Sequence, residues 1–484
     1  MSDAPSSARE PGEMNGPSGQ GTLSARHIIF FVIAAAAPLG FAVGSTPLAI
    51  GRGGIGTAGM FLVVGAFLMI FAAGYTAMAR FIPNAGALFS FIASGLGRPL
   101  GLGTAFVAVM AYAIAATGSI GPFSVFASQA TLQLLGTETP WQFWAFACWA
   151  AVGVLGIVNI EMNMKFLGAV MVIEVLLLTV LSAGVILSGG AEGISLQAFR
   201  PDTISGGEVG VVLLVVFAAF AGFEATALFR EEAKDPVRTI RRATYASIAI
   251  IAVFQAFVTW SVIQAFGNLG AVQMANEMPT EIYTVAANTY VGPFMSNLIV
   301  IFVVGSWFTS ILAFHIATSR YLVVLGRDRA ISPVFARKSA RFGSPWVASL
   351  AHTAFSAVVL LFCAVRGLDP YLDLFVLGSV PVVLSIPCME LLTAAAILAF
   401  FWNDKRGVGL WAGTIAPFIS VIALSVVVYY VLVNIPMFTG REGAINWILP
   451  GLNLLALSVG LLRAFWMRRN RPAEYRLIGH WGER

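Results

Sequence analysis

Charge is scarce in this sequence of 484 residues, because Asp, Glu, Lys and Arg together make up only 11% of it while apolar residues make up 58%. A water-soluble chain of this length carries more charge, so the three soluble domains that length alone would allow are excluded. Apolar runs of about 20 residues recur instead from residue 28 to residue 467, and each is long enough to cross roughly 30 Å of hydrocarbon. The composition therefore predicts an all-α polytopic membrane protein in a lipid bilayer.

Cysteine is almost absent and shows no pattern of a metal or disulfide site. The three cysteines, Cys148, Cys363 and Cys388, lie in or beside apolar spans without CxxC spacing, so neither a disulfide framework nor a zinc site is indicated. The sequence also lacks a GxSxG elbow, an HExxH pair and a P-loop, which argues against enzymes of those classes. We accordingly expect no cofactor, no metal and no catalytic residue.

Basic residues lie at the ends of the apolar spans, so the net charge of +5 does not indicate nucleic-acid binding. If the N-terminus is cytoplasmic, 24 of the 28 Lys and Arg residues fall in cytoplasmic segments. The other four are Arg52, Arg200, Arg366 and Arg441. Because cytoplasmic loops are enriched in Lys and Arg, we predict that both termini are cytoplasmic and that the protein is multi-pass in the cell (plasma or inner) membrane.

Twelve transmembrane helices are predicted from the apolar runs. They cover roughly residues 28–50, 56–79, 100–133, 141–159, 163–188, 208–230, 242–266, 292–322, 346–366, 371–402, 408–433 and 444–467. Residues 1–25 are rich in Ser, Pro, Gly and Glu and lack aromatic residues. Such a segment cannot bury enough apolar surface to become ordered, so we predict a disordered cytoplasmic tail.

The sixth predicted span contains a glycine and an acid inside an apolar stretch. Gly222 costs about 1 kcal/mol in a helix relative to alanine, and a bilayer tolerates such a weak point only where backbone lines a cavity or is buried in protein. Glu224 follows, and the chain then enters a charged cluster. The pattern FxxFxGFE and then EExxxPxR, at residues 217–224 and 231–238, resembles the sixth span of amino acid permeases of the amino acid, polyamine and organocation (APC) family.

The first predicted span contains a dense set of helix-disrupting residues in APLGFAVGSTPLAI, namely Pro38, Gly40, Gly44 and Pro47. One interpretation is a packing notch or a kink. The other is a broken helix whose second half starts near Ser45 and Thr46, with Pro47 in its first turn, where its missing N–H would be unpaired anyway.

Five spans separate this break from the break near Gly222, so the two broken helices, 1 and 6, cross the membrane in opposite senses. This is expected for an inverted repeat of five plus five spans that binds its ligand near the midplane, the LeuT-like architecture. Residues 26–188 would form the first five-helix repeat and residues 189–402 the second, inverted one. Helices 11 and 12 would occupy residues 403–467, and a cytoplasmic tail residues 468–484.

A zwitterion would satisfy both breaks at once. Free N–H groups near Ser45 would bind a carboxylate, and unpaired carbonyls near Ala218 would face an ammonium. The resemblance implies that these positions hold the backbone of an amino acid and that the sixth-span aromatic residue, here Phe220, closes over the ligand. The predicted substrate-binding residues are Gly44, Ser45, Thr46, Phe217, Ala218, Ala219, Phe220 and Gly222.

Three titratable residues inside the spans are candidates for proton coupling: Glu174, Glu224 and His315. Glu174 lies nine residues after Lys165, about 13.5 Å deeper and close to the centre of the hydrocarbon, where acids are costly and usually functional. It aligns with a lysine of proton-coupled APC members, so it could carry a proton, pair with a cationic substrate or with His315, or be structural. Glu224 could instead brace the helices, and His315 could be a satisfied polar residue.

These observations predict a secondary active transporter, not an enzyme, that moves an amino acid or related amine by alternating access, with protons as the coupled ion. A channel would need a continuous polar stripe or a selectivity ring, whereas these spans carry scattered single acids. An exchanger without proton coupling and a carrier of polyamines or other cations remain alternatives.

Overall fold

A computed structural model of the protein describes residues 23–82, 87–158, 160–402 and 406–479. Across these ranges the chain is helical and contains no strand, apart from one isolated β-bridge between Leu23 and Ala233. Eleven helical segments within the described residues are long and apolar enough to cross a membrane. The prediction of an all-α polytopic membrane protein is therefore confirmed.

The first half of the chain contains nine α-helices. They are α1 (Ala25–Ala36), α2 (Pro38–Gly44), α3 (Thr46–Gly53), α4 (Thr57–Met78), α5 (Ala87–Gly95), α6 (Arg98–Gly118), α7 (Ile120–Leu135), α8 (Trp141–Leu155) and α9 (Ile160–Leu187), with a 3-10 turn at Gly54–Gly56. The first predicted span thus consists of three short helices rather than one. Ala37 separates α1 from α2, and Ser45 separates α2 from α3.

The second half begins with short helices and continues with longer ones. They are α10 (Pro201–Ile204), α11 (Val209–Ala218), α12 (Pro236–Phe266), α13 (Asn268–Glu277), α14 (Ile282–Tyr290), α15 (Pro293–Arg327), α16 (Trp346–Arg366), α17 (Leu377–Trp402), α18 (Ala416–Thr439), α19 (Ile445–Asn470) and α20 (Pro472–Tyr475). Four 3-10 or π segments join or extend them, at Phe223–Glu232, Pro333–Ala336, Pro370–Val376 and Trp411–Ile415, and another 3-10 turn lies at Gln197–Phe199.

Eleven of the twelve predicted spans correspond to the eleven long apolar segments. The fourth predicted span corresponds to α8, which has 15 residues and is shorter than the others. A helix of this length rises about 22 Å, less than the roughly 30 Å of a hydrocarbon core. The count of twelve transmembrane helices therefore stays a prediction.

The end of the predicted N-terminal tail differs from the expectation of disorder. Residues 1–22 lie outside the described residues, but Leu23 is buried and pairs with the segment that follows the sixth span. Its N–H donates to Glu232 O at 2.8 Å, and its carbonyl accepts from Lys234 N–H at 3.0 Å. These long-range backbone bonds order residues 23–25, which composition alone could not indicate.

Two helices at the edge of the bundle expose their apolar side chains. α18 and α19 each present a row of exposed aliphatic and aromatic residues, and Trp447 is 80% exposed. An apolar surface of this size fits hydrocarbon and not water. The buried residues instead concentrate in α1, α11 and the 3-10 segment Phe223–Glu232, which lie among α4, α6, α12 and α15 at the centre of the bundle.

Candidate functional site

A cavity of about 450 Å³ lies between the interrupted first span and the sixth. Ala37 and Ser45 line it from the first span, and Phe217 and Ala218 line it from the sixth. Its volume is in the range of small-molecule binding sites. At one end the cavity reaches Arg52, which is half-exposed, so this end is open to the outside of the bundle.

The first interruption is at Ala37, a buried residue in the left-handed region with φ 46°. This conformation costs a residue with a Cβ about 1–2 kcal/mol, so surrounding contacts must hold it. The next turn provides them: the Leu39 N–H donates to Glu174 Oε2 at 3.3 Å, and the Gly40 N–H donates to Ser306 Oγ at 2.9 Å. Gln255 also donates to Pro38 O at 3.2 Å.

The second interruption, at Ser45, is at the predicted position, and Pro47 lies in the first turn of α3. The Ser45 N–H is not free, because it donates to Phe41 O at 2.9 Å, and the Thr46 hydroxyl donates to the same carbonyl at 3.3 Å. Tyr371 donates its hydroxyl to Gly44 O at 2.5 Å. A hydroxyl from the π segment Pro370–Val376, which precedes α17, therefore donates a hydrogen bond to the backbone at this interruption.

The sixth span is interrupted after α11 ends at Ala218. Its hydrogen bonds tighten there from i−4 to i−3: Phe217 O accepts from Phe220 N–H and Ala218 O from Ala221 N–H, both at 3.1 Å. Each of these carbonyls keeps a second lone pair. At Gly222 the backbone has φ 108°, and a Cβ there would lie 3.1 Å from the Cβ of Ala35. The position thus requires glycine.

The cavity brings together half of the predicted substrate-binding residues. Gly44, Ser45, Phe217 and Ala218 line it. The others lie outside its lining as described, namely Thr46, Ala219, Phe220 and Gly222. The Phe220 ring packs instead toward α4, where a Cβ on Gly65 would lie 3.6 Å from its Cζ.

Several aromatic residues of the lining were not singled out by sequence as substrate-binding residues. Trp307, Phe314, Tyr371 and Phe375 line the cavity from α15 and from the π segment Pro370–Val376. The sequence contains 12% aromatic residues, so a mid-span aromatic residue alone gives no signal that separates a cavity wall from ordinary packing.

Glu174 is fully buried on α9 and contacts the first interruption. Its Oε2 accepts from Leu39 N–H and, at 2.7 Å, from the Ser306 hydroxyl. Its Oε1 has no hydrogen-bond partner among the described residues. Within the described residues, no hydrogen bond joins the Glu174 side chain to the His315 side chain. The acid therefore holds the N-terminal end of α2, where a negative charge is favourable.

Glu224 closes the sixth-span interruption. Its two carboxyl oxygens accept from Gly222 N–H at 3.1 and 2.9 Å, and the Tyr112 hydroxyl donates to Oε1. Tyr75 donates to the Glu224 carbonyl at 2.9 Å. A third buried acid, Glu390 on α17, has no hydrogen-bond partner for either oxygen within the described part of the chain.

His315 belongs to a buried chain of polar groups. His352 Nε2 lies 3.3 Å from Ala113 O, a carbonyl that can only accept, so this nitrogen carries the proton. In two neutral rings, His315 Nδ1 then donates to His352 Nδ1 at 2.8 Å, and His315 Nε2 accepts from the Ser349 hydroxyl at 2.8 Å. Every ring nitrogen is thereby used, an arrangement that favours a satisfied polar residue over a proton carrier. Sequence reasoning did not identify His352, which lies in the middle of the apolar helix α16. A histidine in the middle of an apolar span was the feature of the sequence that could have indicated it.

An ion pair joins α15 to the end of the 3-10 segment Phe223–Glu232. Arg320 donates to both carboxyl oxygens of Glu232, at 2.7 and 3.0 Å, and its guanidinium lies 4.4 Å from the centre of the Phe229 ring. Nearby, Arg230 donates to Ala79 O. The side chain of Glu231, which the sequence pattern places in the same charged cluster, lies outside the described residues.

Comparison with known proteins agrees with these features. A family model described as amino acid permease matches residues 23–457. An uncharacterized transporter of Mycobacterium tuberculosis is 29% identical over 153 residues, which cover 32% of this chain and 34% of that protein. Cationic amino acid transporter 5 of Arabidopsis thaliana is 25% identical over 222 residues, which cover 41% of this chain and 38% of that protein.

A second plant relative, cationic amino acid transporter 7, chloroplastic, of Arabidopsis thaliana, is 26% identical over 190 residues, which cover 38% of this chain and 30% of that protein. The alignments span about a third of the length of these curated relatives.

Proposed function

The chain belongs to the amino acid permease family, and on that basis we propose that it is a secondary active transporter that moves an amino acid or a related amine across the membrane by alternating access, coupled to protons. The observation that carries the proposal is the cavity between two interrupted spans. Its walls include residues of both interruptions, Ala37 and Ser45 on one side and Phe217 and Ala218 on the other.

Binding would use polar groups of the two interruptions. The carbonyls of Phe217 and Ala218 each keep a lone pair after their helical bonds, and together they would accept from an ammonium group. The carboxylate of the substrate would lie toward Gly44 and Ser45 and would accept from the Ser45 hydroxyl rather than from the predicted free N–H, because the Ser45 N–H already donates to Phe41 O. Thr46, Ala219, Phe220 and Gly222 would then shape the interruptions without touching the substrate, because they lie outside the described lining.

The proposed architecture is twelve transmembrane helices in a five-plus-five inverted repeat, residues 26–188 and 189–402, with both termini cytoplasmic in the cell membrane. The interruptions at Ala37 and Ser45 and at residues 219–222 occur in the first and sixth spans, as such a repeat requires. In this orientation the cavity opens to the outside at Arg52, and the Arg320–Glu232 pair closes the cytoplasmic side.

Proton coupling is proposed to use Glu174. Its carboxylate accepts the Leu39 N–H, so addition of a proton would remove part of its attraction for the positive end of α2 and loosen the first interruption. Glu224 makes a comparable contact at the second interruption and is the next candidate. His315 follows, because both of its ring nitrogens are already bonded to protein groups.

Uptake of labelled amino acids and amines into proteoliposomes tests the proposal, with and without an imposed pH gradient, for the native protein and for Glu174→Gln. Glutamine keeps a carbonyl that accepts from Leu39 N–H but cannot take up a proton at any accessible pH. We expect accumulation against a concentration gradient when the outside is acidic, and its loss in the variant. Matched variants Glu224→Gln and His315→Gln rank the other two candidates.

Three other results would change or overturn the proposal. If the pH gradient has no effect while internal amino acid accelerates uptake, the protein is an exchanger and Glu174 is structural. If polyamines or cationic amino acids move and neutral ones do not, the substrate is a cation, as in the names of the two plant relatives. If nothing on the panel moves, the proposal is wrong.

A further inference from the structure

The cavity lacks an acidic partner for a charged substrate side chain. Among the described residues that line it, Arg52 is the one with a charged side chain, and it lies at the open end. Arg52 is 50% exposed and 3.9 Å from Glu208. A cationic side chain of the substrate would therefore meet no negative charge among the described residues that line the cavity.

The deeper walls are apolar and aromatic. They come from α6, α15, α17 and the π segment before α17, and include Ile114, Trp307, Phe314, Phe375, Val383 and Ile386. Two serine hydroxyls among them are already bonded to backbone, since Ser310 donates to Ala35 O and Ser379 donates to Val376 O, both at 2.8 Å. The Trp307 Nε1–H has no hydrogen-bond partner among the described residues, but an N–H is a donor and offers a cationic side chain no acceptor. These walls fit an apolar side chain of the substrate.

The buried acids nearest the interruptions are hydrogen-bonded to protein groups outside the cavity lining. Glu174 accepts from Leu39 N–H and the Ser306 hydroxyl, and Glu224 accepts from Gly222 N–H and Tyr112. Neither acid is part of the described lining. Recruiting one of them to a substrate ammonium or guanidinium would break the bonds that hold an interruption.

We propose that the transported substrate is a neutral amino acid with an apolar side chain, and that amino acids with a charged side chain are excluded. This inference rests on the proposed function and specifies the substrate of the same cavity. The α-ammonium and α-carboxylate groups bind at the two interruptions, and the apolar walls receive the side chain. A second full charge inside these walls would be desolvated without a partner, which is strongly unfavourable.

Competition against uptake of labelled leucine by the native protein in proteoliposomes tests this inference. The competitors are isoleucine, methionine and phenylalanine in one group, and lysine, arginine, aspartate and glutamate in the other. We expect the first group to inhibit, and the charged group to inhibit at least about a hundredfold more weakly, as the desolvation of an unpaired charge requires. Lysine or arginine inhibiting as well as isoleucine would overturn the inference.

These results also separate the inference from the proposed function. If arginine or lysine is transported and leucine is not, the transporter assignment stands and the neutral substrate class is wrong. If no amino acid of either group is transported or inhibits, the proposed function fails and the inference fails with it.

A gain-of-function variant tests the cause of the selectivity. Ser379→Asp places a carboxylate in the apolar wall, and Ser379→Asn is the uncharged control of similar size. We expect lysine to inhibit leucine uptake at least about tenfold better in the Asp variant than in the Asn variant, since a paired charge is far less costly than an unpaired one. Equal lysine inhibition in two folded, leucine-transporting variants would contradict the proposed cause.

Discussion

The Glu174 carboxylate accepts a hydrogen bond from the Leu39 N–H at 3.3 Å, although 135 residues separate the two in sequence. Leu39 is the second residue of α2, so the acid meets the positive end of a helix that begins directly after the left-handed Ala37. Ser306 completes the contact, because its hydroxyl accepts from Gly40 N–H at 2.9 Å and donates to Glu174 at 2.7 Å. Side chains from α9 and α15 therefore hold the first interruption.

Replacement of Ser306 by alanine should weaken this interruption. The variant leaves the buried Gly40 N–H without its acceptor and removes a donor to Glu174, and an unsatisfied buried group of this kind costs about 1–3 kcal/mol. We expect a lower thermal-unfolding midpoint in detergent and slower uptake. Ser425→Ala is the control, because the Ser425 hydroxyl is exposed and bonds Val421 O within its own helix. An unchanged midpoint for Ser306→Ala would contradict the role assigned to Ser306.

Replacement of Gly222 by alanine should damage the second interruption. The backbone there has φ 108°, and a new Cβ would lie 3.1 Å from the Cβ of Ala35. Strain of this kind costs about 1–3 kcal/mol, so we expect a lower unfolding midpoint together with loss of uptake.

The matched control for this variant is Gly305→Ala. Gly305 is inside α15, and a Cβ there would meet Val170 Cγ1 at an ordinary contact distance of 3.6 Å. Alanine favours a helix by about 1 kcal/mol over glycine, so this control should be neutral or stabilising. Equal effects of the two variants would show that the conformation of Gly222 is not special.

The positions of the spans follow from the sequence, whereas part of the first interruption does not. Hydropathy predicts spans from apolar run length, and Pro47 with its neighbours predicts the break at Ser45. Pro38 indicates a disruption at Ala37, because a residue before a proline is disfavoured in the helical region, but it does not predict the left-handed conformation that Ala37 adopts there. It depends on Glu174, Ser306 and Gln255, which are far away in sequence and meet Pro38, Leu39 and Gly40 only in the folded bundle.

The sequence also could not predict which aromatic residues line the cavity, and the reason is physical. Phe220 and Phe217 both occur in the sixth-span pattern, yet Phe217 lines the cavity while Phe220 packs toward Gly65. Which aromatic ring faces the cavity depends on the rotation of the backbone between Ala218 and Gly222. The i−3 bonds there replace the regular helix, so helical periodicity no longer predicts the direction of a side chain.

Removal of the Arg320–Glu232 ion pair should favour a state in which the cavity opens at the end of the bundle where this pair lies. Arg320 and Glu232 share two hydrogen bonds, and the Arg320 side chain is only 15% exposed. We expect Arg320→Gln to shift the balance of states toward one open at this end by about tenfold, the effect of 1.4 kcal/mol. The measurement is labelling of a cysteine at cavity residue Ser310 by an impermeant thiol reagent added at that end.

The control for this shift is Arg238→Gln. Arg238 pairs with Asp235 at 3.6 Å, but its side chain is 80% exposed, and exposed pairs contribute little. Background labelling of the native cysteines is measured in the same variants without the Ser310→Cys change. Equal labelling of the Arg320 and Arg238 variants would show that the Arg320 pair does not close this end.

Attachment of the C-terminal segment, residues 472–479, should weaken as pH rises. Burial raises the pKa of Asp328 to about 7, although Gly479 N–H, which donates to its Oδ2 at 3.2 Å, and Arg327 act in the opposite direction. The docked state therefore binds a proton that a solvated carboxyl, with its ordinary pKa of 3.8, releases. The contribution to docking is complete below about pH 4 and is lost as pH rises through about 7.

Asp328→Asn should remove this pH dependence, because asparagine is neutral at all these pH values and its amide oxygen still accepts from Gly479 N–H. We expect hydrogen exchange of this variant in residues 472–479, divided by that of the native protein at the same pH, to be near one at about pH 4 and severalfold lower at about pH 8. Glu474→Gln, which removes an exposed pair with Arg329 at 3.1 Å, should instead change exchange slightly and equally at both pH values. Division by the native rate cancels the intrinsic effect of pH on hydrogen exchange. A ratio for Asp328→Asn that does not change with pH would therefore mean that Asp328 does not control the attachment.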